Sequence, residues 1–127
     1  MSLSTYAGNK ILNLIFNATA FTPPTIYMSA HTGDPGLTGA NEVSGGSYAR
    51  VDISANFPSA ASRAISNDVL IQFVTATASW GNVQYWGLWD ALTDGNFIWG
   101  GTITDPQTIN STDTFHVSVG ELDVAFS

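Results

Sequence analysis

Cysteine is absent from the 127 residues of this sequence. Its absence excludes a disulfide framework, a thiolate metal site and a cysteine nucleophile. Charge is scarce as well, because Asp, Glu, Lys and Arg make up 10% of the residues, against about 25% in ordinary globular domains. The net charge is −7. We therefore expect no binding to nucleic acid, which depends on neutralising phosphates with Lys and Arg, and no attraction to an anionic membrane.

Long hydrophobic runs are missing too. The longest, Ile11–Phe16, is interrupted by Asn13 and is too short to span a bilayer, and no basic start followed by an apolar run marks a signal peptide. No linker or repeat divides the chain, so we expect one soluble domain over residues 1–127. Hydrophobic residues nevertheless make up 44% of the chain, with four Trp, four Tyr and seven Phe. Such a composition suits a surface that neighbouring chains partly cover.

One helix is predicted, at the N-terminus over about residues 4–18. Ser4 or Thr5 can cap its first turn by accepting a free backbone N–H. The run Thr22-Pro23-Pro24 ends any continuation, because proline lacks the donor and restricts the residue before it. The predicted apolar stripe has spacings of three and four residues and comprises Leu3, Ala7, Ile11, Leu14, Ile15 and Ala18.

The remainder of the chain predicts strands separated by Gly, Pro, Asn and Asp clusters. With no helical pattern between them, they indicate an all-β fold, an antiparallel β-sandwich of jelly-roll type with one short N-terminal α-helix. The stretch Thr32–Ser47 predicts a long loop, and such loops are often interaction segments. The seven predicted strands are Thr25–Ala30, Tyr48–Ile53, Val69–Thr75, Val83–Trp89, Phe97–Thr104, Thr114–Val119 and Leu122–Phe126.

The two strands that flank residues 90–96 are apolar on both predicted faces. A sheet with one face on water shows polar residues there, so this hairpin should be covered twice. One cover is its own core, and the other is either the N-terminal helix or another subunit. The predicted faces are Val83, Tyr85 and Trp89 against Trp86 and Leu88 in the first strand, and Phe97 and Trp99 against Ile98 in the second.

Few residues suggest catalysis. His31 and His116 are the only imidazoles; they lie in different predicted strands without metal-ligand spacing, which favours surface or sheet-edge histidines. A Ser-His-Asp arrangement stays open on residue types, but there is no nucleophile elbow. The Gly45-Gly46-Ser47 step lacks the lysine of a phosphate loop, and Gly100-Gly101 predicts close backbone approach within a strand. We predict no enzymatic activity, no cofactor and no metal.

Two alternatives concern other side chains. Loop aspartates favour turn capping through their own carboxylates, while a calcium site built from two of them stays open; they are Asp34, Asp90, Asp94, Asp105 and Asp113. The tryptophans could form a sugar-stacking platform of a carbohydrate-binding module. Their position in predicted strands favours packing in the core or at a subunit interface.

Several segments together resemble one family over nearly the whole chain. They are Leu3–Leu12, Thr22–Pro24, Tyr27–Gly36, Glu42–Arg50 and Gly87–Ala91. The sequence resembles small virion proteins of tailed bacteriophages, often labelled tail-fibre or minor structural proteins. Similar proteins also serve as cement proteins on icosahedral heads, commonly as trimers. The family carries no catalytic residues to transfer. Within Gly45–Arg50, the arginine can form a forked bond to a carboxylate, either inside the chain or between subunits.

The resemblance and the composition together predict a structural protein of the phage virion. Our first expectation is a capsid cement or decoration protein that stabilises the head by contacting the major capsid protein or another virion protein. The alternative is a tail-fibre or baseplate adaptor. We expect the protein on the particle surface after assembly in the host cytoplasm.

We further expect a homotrimer, because an apolar patch exposed on both faces of a strand pair exceeds what monomers usually tolerate. The helix stripe could instead only cover its own sandwich, and both interpretations stay open. The predicted interface residues are Leu3, Tyr6, Ile11, Ile15 and Phe16 in the helix, Trp86, Trp89 and Trp99 in the hairpin, and Tyr48 and Arg50 in the second predicted strand.

Overall fold

The computed structural model describes residues 2–126. It is mostly β, with antiparallel pairing and one short helix, as the sequence predicts. Within the described residues, no helix is long and apolar enough to cross a membrane. The elements are β1 (Ser2–Leu3), α1 (Thr5–Phe16), β2 (Tyr27–His31), β3 (Val51–Asp52), β4 (Ala64–Ser66), β5 (Ile71–Gln72), β6 (Gly81–Trp89), β7 (Phe97–Ile109), β8 (His116–Val117) and β9 (Asp123–Ala125).

Helix α1 is shorter than predicted at its C-terminal end. Ser4 is the N-cap, and its Oγ accepts from the Ala7 N–H at 3.1 Å. At the other end, the Asn17 N–H caps the Asn13 carbonyl, and Ala18 has a φ of 51°. A left-handed residue cannot continue a right-handed helix, so the expected end at Ala18 is wrong by two residues.

Leu3 does not belong to the helix. It lies in β1, opposite Trp99 of β7. Two or three residues are too few to establish an alternating pattern, so the sequence predicts neither β1 nor β4. The predicted helical stripe therefore begins at Ala7, while Leu3 reaches the same region of the molecule from the edge of the sheet.

The main sheet has five strands in the order β1-β7-β6-β2-β3, and β4-β9 and β5-β8 form two separate ribbons. The long β6–β7 hairpin is central, because it pairs with β1 on one side and β2 on the other. Most predicted strands are present but shorter. The jelly-roll arrangement stays a prediction, since the observed pairing is one sheet with two ribbons.

A β-bulge changes the predicted faces of β6. The pairing with β7 shifts register between Val83 and Tyr85, where a step of two residues in β6 faces a step of five in β7. Side chains on the two sides of such an irregularity do not keep a simple alternation of faces. Val83 consequently joins Trp86 and Leu88 in one buried cluster. The expectation that Val83 shares a face with Trp89 is therefore wrong.

The second face of the hairpin is covered by the β2–β3 loop, where we expected α1 or another subunit. This loop is anchored on β2, because Thr32 N–H donates to the Asn41 carbonyl and Val43 N–H to the Ala30 carbonyl. Gly39 lies so close to Trp89 that a Cβ there would overlap the indole. The long predicted loop is thus a folded cover.

Close backbone approach at Gly100 and Gly101, predicted from their position in a strand, is confirmed. A Cβ on Gly101 would lie 2.7 Å from the Trp86 ring, and one on Gly100 would lie 2.7 Å from Pro35 Cγ. Real Cβ atoms do not pack so tightly. The two glycines let the Trp86 indole and Pro35 pack directly on the backbone of β7.

Candidate interaction surfaces

Arg50 and Glu42 form a forked ion pair within the chain. The Nε–Oε1 and Nη2–Oε2 distances are both 2.8 Å, and the Arg50 side chain is 7% exposed. The forked bond predicted from the sequence is therefore confirmed, and it is internal. Nη1 donates to the carbonyls of Ala91 and Asp94. Arg50 thus ties the β2–β3 loop to the β6–β7 turn.

The guanidinium also stacks on Trp89, with 3.8 Å between Cζ and the ring centroid. Tyr48 Oη donates to Glu42 Oε1 at 2.8 Å and accepts from the Ala30 N–H at 3.1 Å. Burial raises the pKa of the Tyr48 hydroxyl, and the adjacent Glu42 carboxylate adds to the rise. Burial also opposes ionisation of Glu42, but hydrogen bonds from Arg50 and Tyr48 outweigh it and lower the pKa of this carboxyl.

His31 continues this polar network into the core. Its Nδ1 lies 2.7 Å from the Ala40 carbonyl, which can only accept, so Nδ1 carries the proton. Nε2 then accepts from the Ser29 hydroxyl at 2.6 Å, and the Trp89 indole N–H donates to Ser29 Oγ at 2.9 Å. We call Ser29, His31, Glu42, Tyr48, Arg50 and Trp89 the Arg50 cluster.

The expectation of a surface or sheet-edge histidine is wrong for His31, which is 0% exposed. It was missed because its partner Ala40 is a loop residue that no strand pattern connects to it. His116 is exposed, as predicted. Burial lowers the pKa of His31, although the Ala40 carbonyl and the Glu42 charge act in the opposite direction. The imidazole is therefore held neutral.

Ser29, His31 and a carbonyl make the contacts of a hydroxyl nucleophile, its base and an orienting acceptor. Ser29 is 0% exposed, however, so the hydroxyl cannot meet a substrate in this conformation. Within residues 2–126, no group of three or more His, Asp or Glu residues could hold a metal ion. The hydrogen bonds instead fix the position of the Trp89 indole.

The loop aspartates cap turns where their hydrogen bonds are described. Asp34 Oδ1 accepts from the Gly36 N–H, and Asp113 Oδ2 accepts from the Asn110 N–H. Asp90 accepts from both the backbone and the side chain of Asn96. Each of these three carboxylates stabilises a local turn, as predicted from its loop position. Asp105 instead lies within β7, so its expected loop position is wrong.

Three of the four tryptophans lie in the interior. Trp80, Trp86 and Trp89 are 4%, 2% and 8% exposed, which leaves no indole face on which a sugar could stack. Trp99 differs, because it is only partly buried and its Nε1–H has no hydrogen-bond partner among the described residues although it is shielded from solvent. Sequence reasoning could not separate Trp99 from the other three.

Trp99 lines three adjoining apolar cavities, which we together call the Trp99 groove. The largest has a volume of about 320 Å³ and includes Ile26, Phe57, Ile65 and Leu88 in its lining. A second, about 140 Å³, is lined by Leu3, Ala7 and Ile11. A third, about 120 Å³, is lined by Arg63, Val124 and Phe126.

Beside the groove, the C-terminal half of α1 leaves apolar side chains in solvent. Ala7 is the only buried residue of the helix. Leu12, Leu14, Ile15 and Phe16 are exposed to 54%, 49%, 64% and 76%. We call these four residues the α1 tip. They contain no charge, and nothing within the described chain covers them.

A comparison with protein families gives these surfaces a context. A family described as podophage GP4 fiber I protein gp80 matches residues 2–125. The chain belongs to this podophage fibre protein family. No curated protein sequence matches it significantly. The resemblance to small virion proteins of tailed phages is confirmed, and the chain is a structural protein of a phage virion.

In this fibre-family protein, the predicted interface residues fall into two groups. Ile15 and Phe16 of the α1 tip are exposed, while Leu3, Tyr6, Ile11 and Trp99 are half-buried around or near the groove. The others, Tyr48, Arg50, Trp86 and Trp89, make their contacts inside the chain. Of the predicted interface residues, those available to another chain therefore lie at the helix and the Trp99 groove.

Proposed function

We propose that this protein is a non-enzymatic subunit of the podophage tail fibre, which binds further copies of itself and another virion protein. The family description names a fibre protein and covers residues 2–125. It supports the proposed position of the chain in the tail fibre. The α1 tip supports the mode of action, since four large apolar side chains about half exposed or more on one short helix indicate a surface that a partner covers.

The absence of enzymatic activity is part of the proposal. The one hydroxyl–imidazole pair with a nucleophile's contacts, Ser29 and His31, has no solvent-exposed surface. The pair is hydrogen-bonded to the Ala40 carbonyl and the Trp89 indole, and these bonds hold the loop and the indole in place. Replacing His116, which is exposed, with Ala should leave particle assembly unchanged. A turnover measured on any substrate and abolished by His116→Ala or His31→Ala would contradict this part.

The position is tested by cryo-electron microscopy of the particle, with nanogold bound to a tag on this chain as a label. We expect label and density at the tail fibre. Label on the capsid alone would contradict the fibre position and favour the role of a capsid cement protein. Specific binding in a glycan array, with quenched tryptophan fluorescence, would instead favour carbohydrate recognition, and Trp99 would be the residue to examine.

A further inference from the structure

The α1 tip lacks the packing that a short helix needs. Helices of about 12 residues are marginal in water, and in proteins their stability comes mostly from burying an apolar face. Here Ala7 is the only buried helical residue, while Ile15 and Phe16 are exposed to 64% and 76%. The side chains that would stabilise the last turn are therefore those without a partner.

The same end of the helix carries free hydrogen-bond acceptors. The C-cap bonds from Asn17 and Thr19 both go to the Asn13 carbonyl. Among the described residues, no donor reaches the carbonyls of residues 14–16, which are the groups that a helix C-terminus leaves unpaired. A partner that offers apolar volume and a donor together would therefore match both features of this tip.

The Trp99 groove offers both. Its largest cavity, about 320 Å³, is almost entirely apolar, and an apolar cavity of about 150 Å³ already holds benzene. There is room for the Phe16 ring and a branched neighbour. The Trp99 indole, whose Nε1–H is shielded from solvent and unpaired among the described residues, would supply the donor by turning toward the cavity. A buried donor without a partner is unfavourable, so a carbonyl brought to it would be a gain.

Charge also favours this pairing. The chain has ten acidic residues, but none lies in α1 or in the lining of the groove. Two copies can therefore approach here without direct contact between acids. Arg63 lines the groove, and a cation is favourable beside a helix C-terminus, which carries partial negative charge.

We propose that the α1 tip of one copy inserts Phe16 into the Trp99 groove of the next, where the Trp99 indole turns to donate its N–H to a free carbonyl at the helix end. This assignment rests on the self-association in the proposed function. Because tip and groove are different surfaces, the contact is heterologous. Three copies close into a ring when each contact rotates the next copy by one third of a turn, which is compatible with the predicted trimer.

Sedimentation velocity of two single variants tests the contact. Phe16→Asp puts a charge on the tip, and Pro24→Glu puts one on the groove, since Pro24 lines two of its cavities. Each should weaken association by at least about 30-fold, the size of an interface hot spot. The matched controls are Pro23→Glu, next to the groove but not in its lining, and Val119→Asp, an exposed apolar site elsewhere; both should associate like the unmodified chain.

Mixing the two variants decides the geometry. Phe16→Asp keeps an intact groove and Pro24→Glu an intact tip, so an equimolar mixture should form a heterodimer although neither variant associates alone. A mixture that stays monomeric, while circular dichroism shows both variants folded, would overturn the heterologous contact. So would a Phe16→Asp variant that assembles like the unmodified protein, or an unmodified chain that is monomeric at about 100 micromolar.

A separate readout follows the indole. In nitrogen-15 spectra, the Nε1–H resonance assigned through Trp99→Phe should shift downfield on association, and Trp99→Phe should weaken association about tenfold, the value of one hydrogen bond. An unchanged resonance in an assembled sample would remove Trp99 from the contact. If label on the particle places the chain at the fibre while the variants still assemble, this inference fails and the proposed function stands.

Discussion

The Arg50 cluster and the Trp99 groove lie on the same β6–β7 hairpin but treat polar groups in opposite ways. In the cluster, each polar side chain has a partner: Arg50 binds Glu42 and two carbonyls, and the Trp89 indole donates to Ser29. In the groove, the Trp99 indole has a buried N–H and no described partner. The same residue type is thus satisfied at Trp89 and unsatisfied at Trp99, although both lie beside the turn of the hairpin.

The contrast suggests different roles for the two regions: the Arg50 cluster stabilises the fold, and the Trp99 groove is suited to bind a partner. Buried polar groups are nearly always hydrogen-bonded in folded proteins. A complete network such as the Arg50 cluster is therefore expected of a structural core. An apolar groove with one unpaired donor is expected where another molecule completes the packing. Under the proposed function, a protein with so few charges would assemble through such apolar surfaces, because ion pairs are not available in number.

The largest expected effect is at the Arg50 cluster, where every polar side chain has a partner. Arg50→Ala removes four hydrogen bonds and the stacking on Trp89, and leaves the Glu42 carboxylate half-buried without its cation. Breaking such a pair from one side costs about 3 kcal/mol. Urea denaturation should show this loss in the free energy of unfolding.

Arg63→Ala is the matched control when both variants are measured in a Phe16→Asp background, so that assembly through the groove does not contribute. The Arg63 side chain has no hydrogen bond or ion pair among the described residues. Its unfolding free energy should change by less than about 0.5 kcal/mol. Equal effects of the two substitutions would mean that the Arg50 cluster does not stabilise the fold as described.

Glycines at the two sites should respond with opposite signs. A Cβ on Gly87 would lie 2.5 Å from Ser29 Oγ and 2.6 Å from His31 Nε2, so Gly87→Ala should destabilise by about 2 kcal/mol through overpacking. A Cβ on Gly8 of α1 would meet Leu3 at an ordinary 3.7 Å. Gly8→Ala should stabilise by roughly 0.5–1 kcal/mol, because alanine is the better helix former.

Thermal unfolding of both variants checks these signs. A Gly87→Ala variant as stable as the unmodified protein would show that Ser29 and His31 can move apart without cost. That result would weaken the description of the Arg50 cluster as a rigid network. A neutral Gly8→Ala would indicate only that helix propensity at this position does not limit the stability of the fold.

Local chemistry made parts of both sites predictable. The Ser4 cap and the Arg50 fork follow from side-chain chemistry and short-range spacing. The burial of His31 did not follow, because it depends on the loop that carries Ala40 folding over β2. Val83 was assigned to the wrong face because a β-bulge leaves no mark in an alternating pattern. The burial of His31 and the face of Val83 depend on long-range packing, which a local sequence pattern does not encode.

Acid should destabilise the Arg50 cluster first through His31, and only at lower pH through Glu42. His31 is neutral in the fold and its pKa is lowered by burial from the ordinary 6.5, so below that pH the unfolded chain binds a proton more readily than the folded one. Stability is therefore fully present above pH 6.5 and falls with decreasing pH, by at most about 1.4 kcal/mol per pH unit for one proton. Glu42, whose pKa is also lowered, adds to the loss only below its ordinary 4.5.

Urea midpoints between about pH 7.5 and pH 5.5 measure this slope. His31→Gln, which cannot titrate, should flatten it whatever its own stability. His116→Gln, the same substitution at an exposed imidazole, is the matched control. A slope that survives His31→Gln would assign the acid sensitivity to another group.

The smallest effect is the sharpest test of the comparison, since it makes the same chemical change at both sites. Trp89→Phe removes an N–H that donates to Ser29 and leaves the hydroxyl with one partner fewer, whereas Trp99→Phe removes an N–H without a partner. Both lose similar ring volume. Measured in a Phe16→Asp background, so that assembly does not contribute, Trp89→Phe should cost about 1 kcal/mol more than Trp99→Phe. Equal costs would mean that the Trp99 N–H is already satisfied in the isolated chain. A carbonyl from a second copy would then find no unpaired donor in the groove.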